Sequence, residues 1–521
     1  MSIFNRVKRA KVQKSKFDLS HEVKTTFNPG ELIPVLNKEM LPGDKWKGNT
    51  EILIRMAPML APLMHRINVY THFFFVPFRL LWNEWEPFIT GGDRGDKVPV
   101  FPKIMLNETT KTYTAKGSLF DHLGIPPLNQ KTITAEFGIS SLPFKAYQLI
   151  YNEYYRDQTI DDDIFDKDNN PDYITLDSGH IDSADEEFLL CVAKRSKRWD
   201  KDYFTSCLPE AQKGEAVDVP LHVTGQGQYY EAPTADGDYD KYNPGSTVDI
   251  QSGSTGLMTS SEVGVEYLGL DPGTTIDVND LRKVTRIQRW LERQARAGSR
   301  YCETLLSHFG VHPGDHQLQR PVYCGGGIQP VQVSEVLQHT PDSGSNSVVG
   351  DMYGHGISVG GNNNFQYSAN EHGILMGICC VMPKATYSQG INKEWRRFDK
   401  FDYGWPEFAN LGEQEVKNHE IFYEGEAWNV ALDTFGYQQR YAEYKYANSR
   451  VSSEFRDTLE YWTMNRKFNT KPTLSSTFLT MQNDTWKKPF AVQSYSDYLW
   501  ANIYHNISAI RPLPYDADPR L

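Results

Sequence analysis

The sequence feature that most constrains the fold is the stretch from Ile67 to Pro77, INVYTHFFFVP. Its first half places an apolar or β-branched residue at every second position, which is the periodicity of a β-strand. From Phe73 to Val76 the polar positions disappear, so this part of the strand should be covered on both faces. Pro77 lacks the N–H that a sheet requires and should end the pairing. A strand of this kind predicts a large β framework.

Other parts of the chain support the same fold class. Residues 373–382 form a second continuous apolar run, which fits another strand covered on both faces. Aromatic residues make up 13% of the chain, a composition that suits strands and contact surfaces. They are dense in residues 387–450, where charges lie between them. Helical periodicity is confined to segments near 142–154, 281–309 and 453–468. We therefore predict a mainly β fold with a few helices.

The amino terminus is strongly basic. Residues 1–17 contain no acidic side chain and six basic ones, namely Arg6, Lys8, Arg9, Lys11, Lys14 and Lys16. A basic arm ahead of a folded domain usually stays flexible unless a polyanion orders it. Two interpretations remain open for this arm, which we place at residues 1–24. It is either a solubilising tail or an arm that binds nucleic-acid phosphates without sequence preference.

Residues 222–278 form the clearest change in composition. They contain nine Gly and nine acidic residues but one basic residue, Lys241. A segment this polar cannot build a large core, and it is too long for an ordinary connection. Loops of this kind are functional surface or disordered. Tyrosines favour a binding surface, and the candidate contact residues are Tyr229, Tyr230, Tyr239 and Tyr242.

A helix rich in arginine follows this segment. Its arginines recur at steps of four and three residues, at Arg282, Arg286, Arg289, Arg293, Arg296 and Arg300. They form one stripe opposite an apolar face that includes Val284 and Leu291. Gly298 should interrupt the helix, and a second helix should end before Gly310. The stripe is either a solvated charged face or a contact for a polyanion or a subunit. A solvated charged face normally has acidic residues among its cations, and this stripe lacks them apart from Glu292. We therefore favour a contact with a polyanion or a subunit.

Two segments of opposite charge lie between residues 157 and 201. The acidic segment, 157–187, contains side chains spaced as in a calcium-binding loop: Asp166, Asp168, Asn170, Asp172 and Asp177. Pro171 and Asp177 stand where such a loop requires Gly and Glu, so we favour a solvated loop and predict no bound metal. The basic cluster that follows comprises Lys194, Arg195, Lys197, Arg198 and Lys201. It either pairs with the acidic segment or meets phosphate or another subunit.

The sequence lacks three common motifs of catalytic and cofactor sites. It contains no phosphate-binding glycine loop, no H-E-x-x-H pair and no paired C-x-x-C. We therefore expect no enzyme activity and no cofactor. A carbohydrate-binding or carbohydrate-cleaving β-sandwich remains the alternative, because glycosidase carboxylates come from distant strands and leave no local signature.

The net charge, the cysteines and the hydropathy limit the partners and the cellular compartment that fit this chain. The net charge of −12 argues against a protein that coats nucleic acid uniformly. Six cysteines without a close-spaced framework indicate reduced thiols. The amino terminus lacks the apolar stretch of a signal peptide, and no run of 18 apolar residues occurs. We expect neither export by that route nor insertion into a membrane.

Several long stretches resemble the major capsid protein of microviruses, the small tailless single-stranded DNA phages, and particularly its gokushovirus branch. They occur in a consistent order and cover most of the chain. The stretches are SLPFKAYQLIYNEYYRDQ (141–158), KDYFTSCLPEAQKG (201–214), LRKVTRIQRWLERQARAGSRYCETLLSHFGV (281–311), LQRPVYCGGG (318–327), INKEWRRFDKFDYGWPEF (391–408) and FGYQQRYAEYKYANSRVSSEFR (435–456).

This resemblance implies an eight-stranded antiparallel jelly-roll β-sandwich with long inserted loops. The jelly roll would comprise residues 25–221 and 279–521, and the insertion 222–278 would protrude at the three-fold axes. The protein would form pentamers that assemble into a sixty-copy T=1 shell around circular single-stranded DNA, in the cytoplasm of a host bacterium. The implied partners are a small basic DNA-binding virion protein, a DNA pilot protein and a host receptor.

Overall fold

The computed structural model describes residues 12–92, 96–164, 180–181, 186–214, 278–297, 301–311, 314–339, 349–423, 425 and 432–515. The chain divides into two compact units. The first is Met1–Ala211 with Ala295–Leu521, and the second is Gln212–Gln294. The boundaries expected for the insertion, 222 and 278, fall inside the second unit and remain predictions.

Strands dominate the described residues. In chain order they are β1 (Ser15–Asp18), β2 (His21–Phe27), β3 (Ile33–Met40), β4 (Lys45–Met56), β5 (Ile67–Pro77), β6 (Lys103–Leu106), β7 (Phe137–Ser140), β8 (His180–Ile181), β9 (Val322–Pro330), β10 (Gln332–Leu337), β11 (Met352–Ser368), β12 (Gly373–Pro383), β13 (Thr386–Tyr387), β14 (Glu413–Lys417), β15 (Thr434–Gln439), β16 (Ser449–Arg450) and β17 (Leu499–Arg511).

Helices are fewer and mostly short. Among the described residues the α-helices are α1 (Trp85–Thr90), α2 (Leu119–His122), α3 (Leu142–Ile150), α4 (Glu186–Val192), α5 (Val278–Ala297), α6 (Tyr301–Phe309), α7 (Ala442–Lys445), α8 (Ser476–Leu479) and α9 (Asn483–Trp486). A π-helical turn, Tyr151–Tyr155, continues α3. Short 3-10 segments lie at Phe78–Leu80, Thr110–Thr114, Lys393–Arg396, Lys400–Asp402, Pro406–Phe408, Asn418–Glu420, Ser453–Arg456 and Glu460–Trp462.

Ten of the described strands form one antiparallel sheet. Eight lie on a continuous path in the order β1-β17-β4-β11-β9-β5-β12-β3, while β2 pairs with β17 and β10 pairs with β11. The predicted mainly β, antiparallel fold is thereby confirmed. The jelly-roll connectivity and the count of eight strands remain predictions.

Strand β5 has the double burial that its sequence predicts. Every second side chain is buried from Ile67 to Thr71, and all five residues from Phe73 to Pro77 are buried. Phe73 and Phe75 pack into one apolar cluster with Trp46 of β4. Phe74, on the opposite face, packs into a second cluster that includes residues of α3. The strand therefore lies between two apolar layers.

Strand β12 is the second doubly covered strand, as predicted. All of its residues, Gly373–Pro383, are buried, and it pairs with β5 on one side and β3 on the other. Gly377 makes the close packing possible. A Cβ there would lie 2.7 Å from the Phe73 ring and 3.0 Å from the Leu36 side chain. A larger residue at position 377 would have to displace both neighbours.

Side-chain contacts show that the sheet curls on itself. The His505 Nε2 atom of β17 is 3.0 Å from the carbonyl oxygen of Val35 on β3, although these strands lie near opposite ends of the strand order. The Phe73 ring of β5 lies 6.5 Å from the His505 ring of β17, measured between centroids, although three strands separate β5 from β17 in the strand order. A curled sheet buries the apolar face of each strand against strands that are distant along the path.

One predicted helix is wrong. The spacing of Phe455, Leu459 and Trp462 suggested a helix from Ser453 to Phe468, but the chain forms two 3-10 segments there. Ser453 has a left-handed φ of 61°. Asp457, at φ −140° and ψ −76°, also leaves the α-helical region. These conformations prevent the successive hydrogen bonds of an α-helix from forming.

Buried His505 should make the fold sensitive to acid. Its Nδ1 atom lies 2.8 Å from Thr50 Oγ1, so the neutral ring has a partner at each nitrogen. Burial lowers the pKa of His505 to about 4, whereas an unfolded histidine titrates near about 6.5. As the pH falls below about 6.5, the histidine of the unfolded chain binds a proton while His505 of the folded chain stays neutral. The contribution of His505 to the free energy of unfolding is therefore complete above about pH 6.5 and is lost as the pH falls toward about 4.

Protonation linked to His505 should lower the free energy of unfolding by about 2–3 kcal/mol as the pH falls from about 6.5 to about 4. Urea unfolding of the wild type and of His505→Asn across this range measures it. The variant should be less stable at pH 7 and should depend less steeply on pH. Parallel pH profiles would contradict this role for His505.

Candidate functional site

The described end of the basic arm is anchored to the main sheet. Strand β1 pairs with the end of β17, with Ser15 opposite Arg511. Lys14 Nζ donates a hydrogen bond of 2.8 Å to the carbonyl oxygen of Gly43. Lys14 and Lys16 are exposed. The other candidate residues of the arm, Arg6, Lys8, Arg9 and Lys11, lie outside the described residues. The sheet therefore begins inside the segment that was expected to be flexible.

A cleft that we call the basic cleft lies beside β2, β3, β4 and the first residues of β17, and it was not anticipated from the sequence. Its volume is about 810 Å³. Cations from β2, β3, β4 and a loop line it, together with an aromatic side chain of β17; these residues are Lys24, Lys38, Arg55, Lys116 and Trp500. Asp121 is the one acidic residue among its described lining. Because the lining comes from separate segments, no local motif marks it.

Trp500 gives the basic cleft an aromatic wall. Its side chain is 41% exposed, and the residue lies opposite Arg55 on β4 and Thr26 on β2. A cationic groove with an accessible aromatic ring is the arrangement that binds single-stranded nucleic acid without sequence preference. The cations contact the backbone, and the bases stack on the ring.

The basic cluster of residues 194–201 pairs within the chain. Lys194 pairs with Glu31, Lys197 with Asp200, Arg198 with Asp161 and Lys201 with Asp157. Arg195 Nε donates a 2.7 Å hydrogen bond to Gln148 Oε1. Two of these acids belong to the described beginning of the acidic segment, so that segment and the cluster hold each other in place. The calcium-like spacing at Asp166 to Asp177 lies outside the described residues.

The arginine stripe lies on a continuous helix, α5, which ends at Ala297 before the expected interruption. The second helix, α6, ends at Phe309, also as expected. The stripe residues on the second compact unit, Arg282, Arg286, Arg289 and Arg293, are exposed. Arg296 belongs to the first unit, where it pairs with buried Glu413 at 2.8 Å. Arg300 lies outside the described residues. Arg296 therefore has a structural role that the other described arginines of the stripe do not share.

The apolar side of α5 is partly exposed. Leu281 and Ile287 are more than one-third exposed, whereas Val284 and Leu291 are half-buried. Trp290, which lies beside the stripe, is also exposed. The sequence pattern predicts that residues such as Leu281 and Ile287 pack inward. Exposed apolar side chains beside an exposed cationic stripe fit a contact surface better than a simply solvated helix.

The tyrosines of the insertion, Tyr229, Tyr230, Tyr239 and Tyr242, lie outside the described residues. Where the structure describes cysteine side chains, the thiols form no disulfide. Burial raises the pKa of the Cys379 thiol to about 12, so it packs as a small apolar side chain.

Within the described part of the chain, no group of three or more His, Cys, Asp or Glu side chains is placed to hold a metal ion. None of the described helices combines the length and the apolar composition that crossing a membrane requires.

The chain is similar to known capsid proteins along almost its whole length. A family model described as "Capsid protein (F protein)" matches residues 5–521. Capsid protein VP1 of Chlamydia phage 1 is 33% identical, with 99% of this chain and 97% of that protein covered. Capsid protein VP1 of Bdellovibrio phage phiMH2K is 34% identical, with 98% and 96% covered. Capsid protein VP1 of Spiroplasma virus 4 is 28% identical, with 99% and 97% covered.

These full-length matches define the class of protein: a structural protein of a phage virion rather than an enzyme. The chain belongs to the phage capsid protein (F protein) family. The resemblance derived from the sequence is thereby confirmed. The alternative of a carbohydrate-binding or carbohydrate-cleaving protein finds no support in these comparisons.

Proposed function

We propose that this protein forms pentamers that assemble into a sixty-copy T=1 icosahedral shell around a circular single-stranded DNA genome. The full-length match to phage capsid proteins supports the shell. The observation that carries the DNA part is the basic cleft, which combines four cations with accessible Trp500. Phosphates held by these cations would release counterions, and a base would stack on the indole.

The basic arm complements the cleft in this proposal. The strand that follows it, β1, pairs with β17, the strand that carries Trp500. The cations ahead of β1 add phosphate contacts that need no base sequence. This arrangement suits a shell protein, which has to bind a whole genome rather than one site on it.

Sedimentation velocity of the purified protein, with and without circular single-stranded DNA, tests the proposed function. One subunit has a mass of 59.6 kDa. The proposal predicts pentamers or larger closed assemblies, and DNA that sediments with them. A folded protein that stays monomeric at every concentration would contradict it.

The exposed arginines of α5 provide a second proposed DNA contact. From Arg282 to Arg293 they span roughly 16 Å along the helix. Replacing Arg282, Arg286, Arg289 and Arg293 with glutamine should weaken DNA binding at physiological salt. It should also reduce the slope of log affinity against log salt by up to about 3, since each phosphate contact on single strands contributes about 0.7.

Filter binding to a single-stranded oligonucleotide over a salt series measures this slope. Thr285→Ala, an exposed neutral position on the same helix, is the matched control because it changes no charge. An unchanged slope together with impaired assembly would assign the stripe to a neighbouring subunit instead.

We also propose that the insertion, 222–278, protrudes at the three-fold axes and contacts the host receptor through its tyrosines. Its excess of acidic residues would be repelled by packaged DNA, which favours an outward position. Shortening the insertion should leave the subunit folded and reduce attachment or shell assembly. Unchanged infectivity would rule out that role.

The proposal includes further partners. A small basic DNA-binding virion protein would share the neutralisation of the genome, and a DNA pilot protein would accompany it in the particle. Assembly would take place in the cytoplasm of the host bacterium. These partners rest on the family membership, and co-purification with intact particles would identify them.

A further inference from the structure

The segment from Asn392 to Leu411, which we call the aromatic loop, exposes an unusual number of large apolar side chains. Phe398 is 83% exposed and Trp395 is 69% exposed. Other exposed side chains lie in the loop or beside it, namely Phe401, Tyr403, Trp405, Leu411, Tyr444 and Tyr446. Several large apolar side chains exposed within one loop are typical of an interaction site.

Hydrogen bonds support the backbone of the aromatic loop. The Asp402 carboxylate accepts hydrogen bonds of 2.9 Å from the backbone N–H groups of Phe398 and Asp399. Trp405 Nε1 donates to the carbonyl oxygen of Lys400 at 2.8 Å, and the Trp405 backbone N–H donates to Tyr441 Oη at 3.2 Å. The exposed rings are therefore carried by a backbone that hydrogen bonds stabilise. A partner that binds them would lose little free energy in ordering the loop.

The loop is anchored to the rest of its unit by Arg397. Its guanidinium lies 4.2 Å from the centroid of the Tyr444 ring and 3.5 Å from Glu443. The side chain is 11% exposed, so its charge is used inside the protein rather than presented at the surface. Gly404 N donates a 3.1 Å hydrogen bond to Tyr444 Oη, which joins the loop to the same ring.

Charge distinguishes a protein partner from a nucleic acid. Residues 392–411 contain four basic and four acidic side chains, so the aromatic loop has no net formal charge. A platform for single-stranded DNA combines aromatic rings with a positive groove, as the basic cleft does. Two whole chains, each with a net charge of −12, repel one another in general. A charge-balanced aromatic surface is where two copies can meet with the least repulsion.

The size of the surface fits the same partner. Large aromatic side chains bury about 150–250 Å² each, so these partly exposed residues present roughly 900 Å² in total. A standard interface between stable partners buries about 800 Å² on each side. Trp and Tyr are also the residues that most often dominate binding energy.

We propose that the aromatic loop, with Tyr444 and Tyr446, is a contact surface for a second copy of this chain. The inference rests on the proposed shell function and assigns one of the surfaces that the shell requires. Phe398 and Trp395 are its central side chains, because they are the most exposed and can lose the most accessible area on contact.

Sedimentation velocity of the full-length double variant Trp395→Ala/Phe398→Ala tests this inference against wild type. The variant should need at least a tenfold higher protein concentration to assemble, while its unfolding temperature stays close to that of wild type. Val98→Ser is the control, since Val98 is 87% exposed outside the aromatic loop. Val98→Ser should assemble as wild type does.

Three results would overturn the inference, and they are distinguishable. Assembly of the double variant at wild-type concentrations would remove the loop from the interface and leave the shell function standing. Wild-type-like assembly with reduced binding of single-stranded DNA would make the loop a base-stacking surface. A wild-type protein that is folded yet always monomeric would refute the proposed function itself, and the interface with it.

A labelling experiment keeps the inference testable if the double variant folds poorly. In Phe398→Cys, a maleimide should label position 398 readily in the dissociated subunit and at least tenfold more slowly in the assembly. The parent protein gives the background, and its Cys191, Cys207, Cys379 and Cys380 are buried. Equal labelling rates before and after assembly would overturn the inference.

Discussion

Replacing Phe73 with alanine should lower the free energy of unfolding by about 3–5 kcal/mol. Phe73 is fully buried in β5, and its ring lies 4.4 Å from the Phe365 ring. It belongs to the cluster that joins β5 to β4, β11 and β17 across the curled sheet. Alanine would remove the ring and leave a cavity, because these neighbours are fixed by their own strand pairings.

Urea unfolding of the isolated subunit measures this loss. The matched control is Val359→Ala on β11, where the side chain is 73% exposed and the change should stay within about 0.5 kcal/mol. A loss below about 1 kcal/mol for Phe73→Ala would show that β5 is not the centre of the core. Because subunits must fold before they assemble, the same variant should also yield few particles.

Deleting residues 2–11 should reduce DNA binding by at least tenfold at physiological salt. The deletion removes four basic side chains, Arg6, Lys8, Arg9 and Lys11, and with them up to four phosphate contacts. It spares Lys14, which bonds to Gly43, and Ser15, which begins β1. The subunit should therefore keep its stability, whereas a longer deletion through Asp18 would also remove the pairing of β1 with β17.

The amount of single-stranded DNA that co-sediments with assembled protein measures the effect of the arm. A variant in which the same four residues are replaced with serine is the control, since it keeps the chain length and removes the charge. Both variants should lose DNA to the same extent if charge is the cause. Normal DNA retention by the shortened protein would identify the arm as a solubilising tail.

The parts of the fold that could be predicted from the sequence are those with a local pattern. Strands β5 and β12 have apolar residues on both faces, and a strand buried on both faces requires that pattern. Helix α5 has a continuous 3.6-residue period over 20 residues. The segment 453–468 shows the limit of such patterns. Its apolar spacing is helical, but the backbone at Ser453 and Asp457 leaves the helical region.

The candidate surfaces were harder to predict because they depend on tertiary structure. The basic cleft combines Lys24, Lys38, Arg55 and Lys116 with Trp500, which lies more than 380 residues after the last of them. Only strand pairing brings them together. The basic cluster of residues 194–201 shows the reverse case. Its charges are evident in the sequence, but in the folded chain they pair with acidic residues of the same chain. Charge density alone does not show whether a cation is available to a partner.

Electron cryo-microscopy of the assembled, purified protein would show directly whether it forms the proposed shell. Closed particles with icosahedral symmetry are expected, each containing sixty copies of the 59.6 kDa chain, or roughly 3.6 MDa of protein. Neighbouring copies should contact one another through Trp395 and Phe398. Open sheets, filaments or a uniform population of folded monomers under all assembly conditions would rule out the proposed shell.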